Sequence, residues 1–436
     1  MANRVPSGPP GLPVVGTSLQ YADDPLGFME RTAREFGDVA SIDVYGQEVY
    51  QVVDPDAVRR VLVENADDYR KPTFGEDEGL AGLLGDGLLT SNGDVWRRQR
   101  SALQPAFFGE RLDAYADEMV ANAERTGASW ADGDVLDVHA EMSELTLRIV
   151  VETLLGVELD GMERVVRDAL LNVGERFRPG PQAFVPEEVP TPRNLQYRRS
   201  VERLERVLRE LRRQHEGREG DDVLAILLRM RDQDEVDEDV LRDEMMTMLL
   251  AGHDTTALTL TYAWWLVADH PAVERKFHEE VDALDGQPTA ADLAELDYLE
   301  KIVTEAMRLY PPAYVVYREA TVDDELAGFR IPRGSVVSMP QWVVHRDRRW
   351  FDDPETFRPE RWTDEFRRDL PPFAYFPFGG GPRKCIGDGF AMREAKLVLA
   401  TLGRRYELDR VTEDVDLVPL VTLHPDGPVE MRVTER

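Results

Sequence analysis

The chain has 436 residues, 42% of them hydrophobic, and sets 84 Asp plus Glu against 52 Lys plus Arg, a formal charge of −32. That excess of carboxylate disfavours nucleic acid and anionic lipid as partners, and a single cysteine excludes an internal disulfide, a Cys-ligated zinc site and a Cys-held iron–sulfur cluster. Lysine is scarce, at 71, 276, 301, 384 and 396 only, and abundant carboxylate with so little lysine resembles the solvated surface of halophilic proteins from a very salty cytoplasm.

The opening "MANRVPSGPPGLPVVG" lacks the apolar core of a signal peptide, and no run approaches the roughly 18 apolar residues of a spanning helix, so a soluble cytoplasmic chain with no membrane anchor is expected. Residues 1–14 read as irregular, and "VASIDVYGQEVYQVV" (39–53) alternates around Gly46 as a hairpin does. From Asp56 onward helical patterns dominate. They are broken by a glycine-rich loop at 75–93 and by "FRPGPQAFVPEEVPTPR" (177–193), whose prolines forbid a helix and which reads as a long surface loop. The longest apolar-periodic stretch, 237–268, starts acidic and predicts a central buried helix. Shorter helices then run to Tyr310, a β-like region covers about 313–340, an irregular stretch reaches 384, and a final helix opens near Cys385. With no internal repeat, residues 1–436 read as one mainly α body with a small β portion.

The only cysteine sits in "FPFGGGPRKCIGDGF" (376–390). Arg383 and Lys384 precede it and the run "FAMREAKLVLATL" follows it, so cations and a helix N-terminus are both expected to favour the thiolate. The dipole alone is worth only about 0.3–1 kcal/mol, whereas a metal deprotonates a thiol outright. Gly379, Gly380, Gly381, Gly387 and Gly389 let the backbone come close to something flat and large. The spacing Phe378, Gly381, Arg383, Cys385, Gly387 resembles the haem-binding loop of the cytochrome P-450 family of haem-thiolate monooxygenases.

The resemblance runs in family order from about residue 8 to 430 and implies the P-450 fold, with haem b between a long central helix and the loop of Cys385, the axial iron ligand. It assigns proton delivery to Asp254 and Thr255 in "AGHDTT" (251–256), with Gly252 clearing space for a ligand and no role for His253. "EAMR" and "FRPERW" supply Glu305, Arg308 and Arg361 as a buried ionic triad that holds the haem-side loops. In "WRRQR", Trp96 and Arg100 share one helical face and are matched to the haem propionates, as are Arg318 and Arg383; Phe378, Gly381 and Gly387 complete the cofactor loop. Arg97 and Arg98 point away. With Lys384, Arg393 and Lys396 they are expected to form a basic island on which an acidic ferredoxin docks.

No Gly-rich flavin or nicotinamide segment follows the haem unit, so electrons are expected from a separate ferredoxin with its reductase, and O2 supplies the oxygen. Phe74, Leu80, Leu83, Leu84, Leu88, Leu89 and Phe184 suggest a lipophilic substrate. A peroxide-driven oxygenase or isomerase on the same fold, and a non-enzymatic haem-thiolate sensor, are the alternatives; intact Asp254 and Thr255 disfavour the first.

Overall fold

The computed structural model describes residues 4–13, 15–44, 46–72, 80–180, 185–218 and 220–436, and its architecture is mainly helical. The axis is the helix Glu238–Ala268, 31 residues and so about 45 Å long. Asp237 caps it by accepting the Val240 N–H at 2.8 Å, and Glu238 and Asp239 put carboxylates in the first turn, where the helix dipole favours them. From Leu241 to Val267 residues on every face are buried, as befits a helix apolar all round.

Helix Val138–Leu154 lies along it, and Gly252 is where the two approach. A Cβ at Gly252 would stand 3.2 and 3.3 Å from the Val150 methyls. The missing side chain therefore accommodates a neighbouring helix, not the passage of a ligand inferred from sequence. Helices Asp297–Leu309 and Asp388–Gly403 pack on the central helix from other sides.

Among the described residues the strands are β1 (Val39–Val44), β2 (Gln47–Val52), β3 (Tyr69–Arg70), β4 (Val135–Asp137), β5 (Val316–Ala320), β6 (Asp324–Leu326), β7 (Phe329–Ile331), β8 (Val336–Met339), β9 (Tyr406–Arg410), β10 (Leu417–Pro419), β11 (Leu423–Pro425) and β12 (Glu430–Glu435). β1 and β2 form the expected hairpin, turned at Gly46 with φ +78°. They continue into a five-stranded sheet in the order β1-β2-β8-β5-β3, which sets Arg318 of β5 beside Val337 of β8 and brings the end of β3 close by. The expected surface loop is free of helix over 185–191, and the next helix starts at Pro192 under a Thr191 cap. The glycine-rich 75–93 segment contains a short helix, Leu80–Leu84.

The sequence reading stops at the final helix, but the chain goes on into the sheet β4-β12-β9 and the hairpin β10–β11. Strands of three to six residues offer too little alternation to be read beside long helices. The main apolar core gathers residues from Leu83 to Val433, and a smaller one lies against the five-stranded sheet. The cysteine loop bridges them: Phe376 belongs to the smaller core and Phe378 packs on the larger.

Candidate functional site

The cysteine loop is closed by its own backbone. Cys385 N–H donates to Phe378 O at 2.9 Å, Lys384 N–H to Gly381 O at 3.1 Å, and Gly379 N–H to Phe376 O at 2.9 Å. Gly381 has φ +66°, and a Cβ there would meet Leu62 O at 1.8 Å, so both conformation and space demand glycine. Gly387 differs: it has φ −98°, caps helix Asp388–Gly403, and an added Cβ would reach only Phe107 at 3.7 Å.

The Cys385 side chain is accessible, yet enough protein surrounds it for burial to push the thiol up, opposed by the Gly387 N–H, Arg100 and Lys384. This corrects the expected acidification by Arg383, Lys384 and the helix end: desolvation outweighs them, and Asp388 in the first helical turn adds to it. The protein alone keeps this sulfur a thiol. A bound metal is the cause strong enough to reverse that.

Trp96 and Arg100 share helix Gly93–Leu103, and Arg100 Nη1 donates to Lys384 O at 2.8 Å, tying the helix to the loop. Arg383 stacks on the Trp96 ring, 4.3 Å from its centroid, and donates to Ser91 O and Asn92 Oδ1. Burial brings Arg383 down to about 10, and burial with Arg383 brings Arg318 to about 10. Burial, with Arg318 and Arg383, also pushes Lys71 well below the usual lysine range. Lys71 escaped the sequence reading because its neighbours are brought to it by the β3–β5 pairing. Asn92 did too, although its Oδ1 receives both the Lys71 N–H and Arg383.

None of Lys71, Arg100, Arg318 and Arg383 forms an ion pair with a carboxylate of the described residues, in a chain of charge −32. Buried cations are normally paired. A cluster of four partly or fully buried cations near an accessible thiol fits a flat metal-bearing group with two carboxylates, as haem is, and among the described residues no group of three or more His, Cys, Asp or Glu is placed to hold a metal ion.

Glu305 is fully buried and accepts five N–H donors: Arg308 Nε and Nη2, Arg361 Nε, the Arg358 backbone and Trp362 Nε1, at 2.8–3.1 Å. Arg308 also donates to the carbonyls of His345, Pro354 and Thr356, and Arg361 to those of Asp352, Asp353 and Thr356. The three residues singled out from sequence thus meet. Trp362 joins them as a partner that the motif "FRPERW" contained without marking.

Asp254 and Thr255 are adjacent on the central helix but are not bonded to each other. Thr255 Oγ1 donates to Ala251 O at 3.2 Å. Asp254 Oδ2 instead accepts Thr422 Oγ1 at 2.5 Å and lies 3.2 Å from His424 Nε2, both from the β10–β11 hairpin that sequence reasoning did not see. Burial pushes the Asp254 carboxyl up, but His424, His253 and Thr422 together hold it well below the usual range. His253 is buried, with Nδ1 on Leu249 O.

Near the substrate-side loops, Leu83 and Leu84 are buried in the main core, Leu88 nearly so, and Leu80 and Leu89 pack against it half-buried; Phe74 and Phe184 lie outside the described residues. The 85–88 loop is pinned to the central helix by Asp243, which accepts Asp86 N–H, and Glu244, which accepts Leu88 N–H and is pushed by burial up to about 7. On the sulfur side the expected basic island shrinks. Lys396 is buried and donates to Leu293 O and Glu300, because its long stem lies inside the helix packing. Arg97 pairs with Asp94, Lys384 with Asp388 and Arg393 with Asp113, while Arg98 is exposed without an ion pair among the described residues.

The family profile for cytochrome P450 matches residues 6–428. The chain is 35% identical to cyclooctatin synthase of Streptomyces melanosporofaciens, over 92% of this chain and 89% of the relative. It is 34% identical to pentalenene oxygenase of Streptomyces avermitilis, over 99% and 97%. A solved structure of the cytochrome P450DA heme domain superposes with a TM-score of 0.86 at 26% identity, covering 100% of this chain and 98% of the other.

The Glu305 network yields a stability prediction. Glu305→Ala leaves Arg308 and Arg361 buried without their carboxylate and is expected to cost about 3–5 kcal/mol in denaturant unfolding. Glu305→Gln, which keeps the shape, should fall between; a Glu305→Ala protein as stable as wild type would show the network to be dispensable.

Proposed function

The chain belongs to the cytochrome P450 family and is a monooxygenase of that family, and from this premise we propose that it inserts one oxygen atom from O2 into a C–H or C=C bond of a lipophilic small molecule, using haem b and electrons from a separate ferredoxin and its reductase. The observation that carries the reading is the accessible lone thiol of Cys385 beside four cations that have no carboxylate partner among the described residues. Haem, when bound, would supply the redox iron at which dioxygen is activated, and a thiolate ligand favours O–O cleavage.

In this reading Cys385 would hold the haem iron through its sulfur. Trp96, Arg100, Arg318 and Arg383, joined by Lys71, hold the two propionates by charge and hydrogen bonds. Phe378, Gly381 and Gly387 shape the loop, and Glu305, Arg308 and Arg361 fix the segments behind it. Asp254 and Thr255 move protons on the opposite face, the Asp254 carboxylate as carrier and the Thr255 hydroxyl as the last donor. We read residues 1–436 as one haem-binding unit in a cytoplasmic, halophile-like protein; among the described residues no helix is long and apolar enough to cross a membrane. One relative is a pentalenene oxygenase, and another, 32% identical over 98% of this chain, is a cyclooctat-9-en-7-ol 5-monooxygenase of Streptomyces melanosporofaciens, which favours an olefinic, terpenoid-like substrate over a fatty acid.

Cys385→Ala is expected to abolish the red-shifted Soret band of the reduced carbon monoxide complex; a surviving band would refute the ligation. Thr255→Ala should still bind substrate and accept electrons but divert them to hydrogen peroxide, seen as lower product per electron. Unchanged coupling, or full activity with peroxide and no reductase, would favour the peroxide-driven class. For the electron donor, Arg98→Glu and Lys384→Glu should slow first-electron transfer from an acidic ferredoxin at moderate salt. The gap should shrink near 1 M, where the screening length falls to about 3 Å. Equal rates at both salt levels would move the docking surface elsewhere.

A further inference from the structure

We propose that the β10–β11 hairpin is part of the proton path to the oxygen side, with His424 as the residue that hands a proton to Asp254. The proposal rests on the reading of Asp254 as proton carrier and adds the group that recharges it.

Three elements converge there. Thr422 and His424 come from the hairpin, Asp254 and His253 from the central helix, and His139 from helix Val138–Leu154. Thr422 Oγ1 is 2.5 Å from Asp254 Oδ2; His424 Nε2 is 3.2 Å from that oxygen and 3.0 Å from Thr422 Oγ1. A hydroxyl has one hydrogen, and the short contact to the carboxylate takes it. His424 Nε2 must then be a donor toward both oxygens, so the proton already lies on the nitrogen facing Asp254.

The surroundings keep the positive charge on that ring. His139 meets His424 edge-on, 5.4 Å between centroids, and burial together with His424 holds it down to about 3, hence neutral. Its Nε2 is buried without a hydrogen-bond partner. His253 is likewise lowered by burial. Arg167 acts on His139, and Glu175 adds its negative charge toward His424. Burial pushes His424 down, but Asp254 outweighs it and the net is upward.

In the proposed step the His424 Nε2–H bond breaks and an Asp254 Oδ2–H bond forms, leaving a neutral imidazole and a neutral carboxyl. The attraction that turns Asp254 toward the hairpin is then lost. The carboxylic acid is free to rotate toward Thr255, whose hydroxyl meanwhile donates to Ala251 O. His424, 6% exposed, is reprotonated by hydronium from the solvent, which is left as water.

The experiment uses the haem-loaded protein and two readouts. The first is independent of turnover: a double-mutant cycle on thermal unfolding with His424→Gln and Asp254→Asn, across pH 5–10. A raised histidine contributes below its ordinary range, about 6.5, and loses that contribution as pH rises through the folded value; a depressed carboxylate contributes above about 4. The His424–Asp254 coupling should therefore be largest between about pH 4 and 6.5 and fade toward pH 10. A coupling that is absent or flat with pH overturns the proposal. The second readout is product per electron. His424→Gln should lower it, with the lost electrons recovered as hydrogen peroxide and with substrate-induced spin shift and first-electron rate unchanged. His424→Lys, which keeps a proton donor and its charge to higher pH, should restore most of it and carry it further into the alkaline range. If Asp254→Asn uncouples while both His424 variants stay coupled, His424 is only a tie between hairpin and helix and this proposal fails alone. If Asp254→Asn stays coupled, the reading of Asp254 fails and the proposal with it.

Discussion

The sulfur side of the molecule depends on one buried carboxylate. Glu305 has no contact with water, and an isolated charge in that position would be prohibitive. Five N–H donors make it tolerable, and each comes from a segment that must then stay where it is. Through Arg308 the charge fixes the His345 carbonyl. His345 Nε2 accepts the Phe376 N–H, and Phe376 and Phe378 carbonyls take the N–H groups of Gly379 and Cys385. An unbroken series of hydrogen bonds and peptide links thus runs from a helix well removed in sequence to the only sulfur. The position of that sulfur is set by backbone geometry, and hence is rigid.

Against this fully satisfied network stands the cluster of Lys71, Arg100, Arg318 and Arg383. On a chain with 84 acidic residues there is no shortage of carboxylates to pair them. The cost of enclosing them without a carboxylate partner among the described residues is visible in Arg318 and Arg383, each brought to about 10 with burial as the first cause. Such an arrangement is poor for the protein alone and favourable with a dianionic ligand, so binding that ligand and stabilising the fold become one free-energy change. The thiol behaves in parallel: desolvation keeps it protonated until something draws the proton off.

What could be read from sequence follows from distance along the chain. Phe378 to Gly387, Glu305 with Arg308, and Trp96 with Arg100 are each local spacings, and one helical turn or one loop carries them. The central helix was legible because 31 residues of period and an acidic cap reinforce one another. Thr422 and His424 were not, since they sit 168 and 170 residues from Asp254, in the turn and second strand of a hairpin whose strands are too short to alternate visibly. Gly252 was misread for a related reason: nothing local announces Val150. Lys396 lay in a basic-looking run, but burial depends on which helical face meets helix packing, and a charge count carries no such information.

Two carboxyl groups near the central helix show how partners decide charge. Asp254 is largely enclosed, yet His424 and Thr422 hold it ionised. Glu394, on the helix that follows Cys385, is fully buried against Thr256 of the central helix, and burial, only partly opposed by the Thr256 hydroxyl, pushes it far above the usual range. It is a neutral acid. Residue type and burial are comparable; the difference is a neighbouring imidazole. The cysteine helix consequently adds no buried negative charge at Glu394 to compete with the sulfur, while the opposite face keeps an ionised carboxylate beside a proton source. That asymmetry suits a site where charge must collect on one ligand and protons must arrive from the other side, and it arises from the placement of one histidine on a three-residue strand.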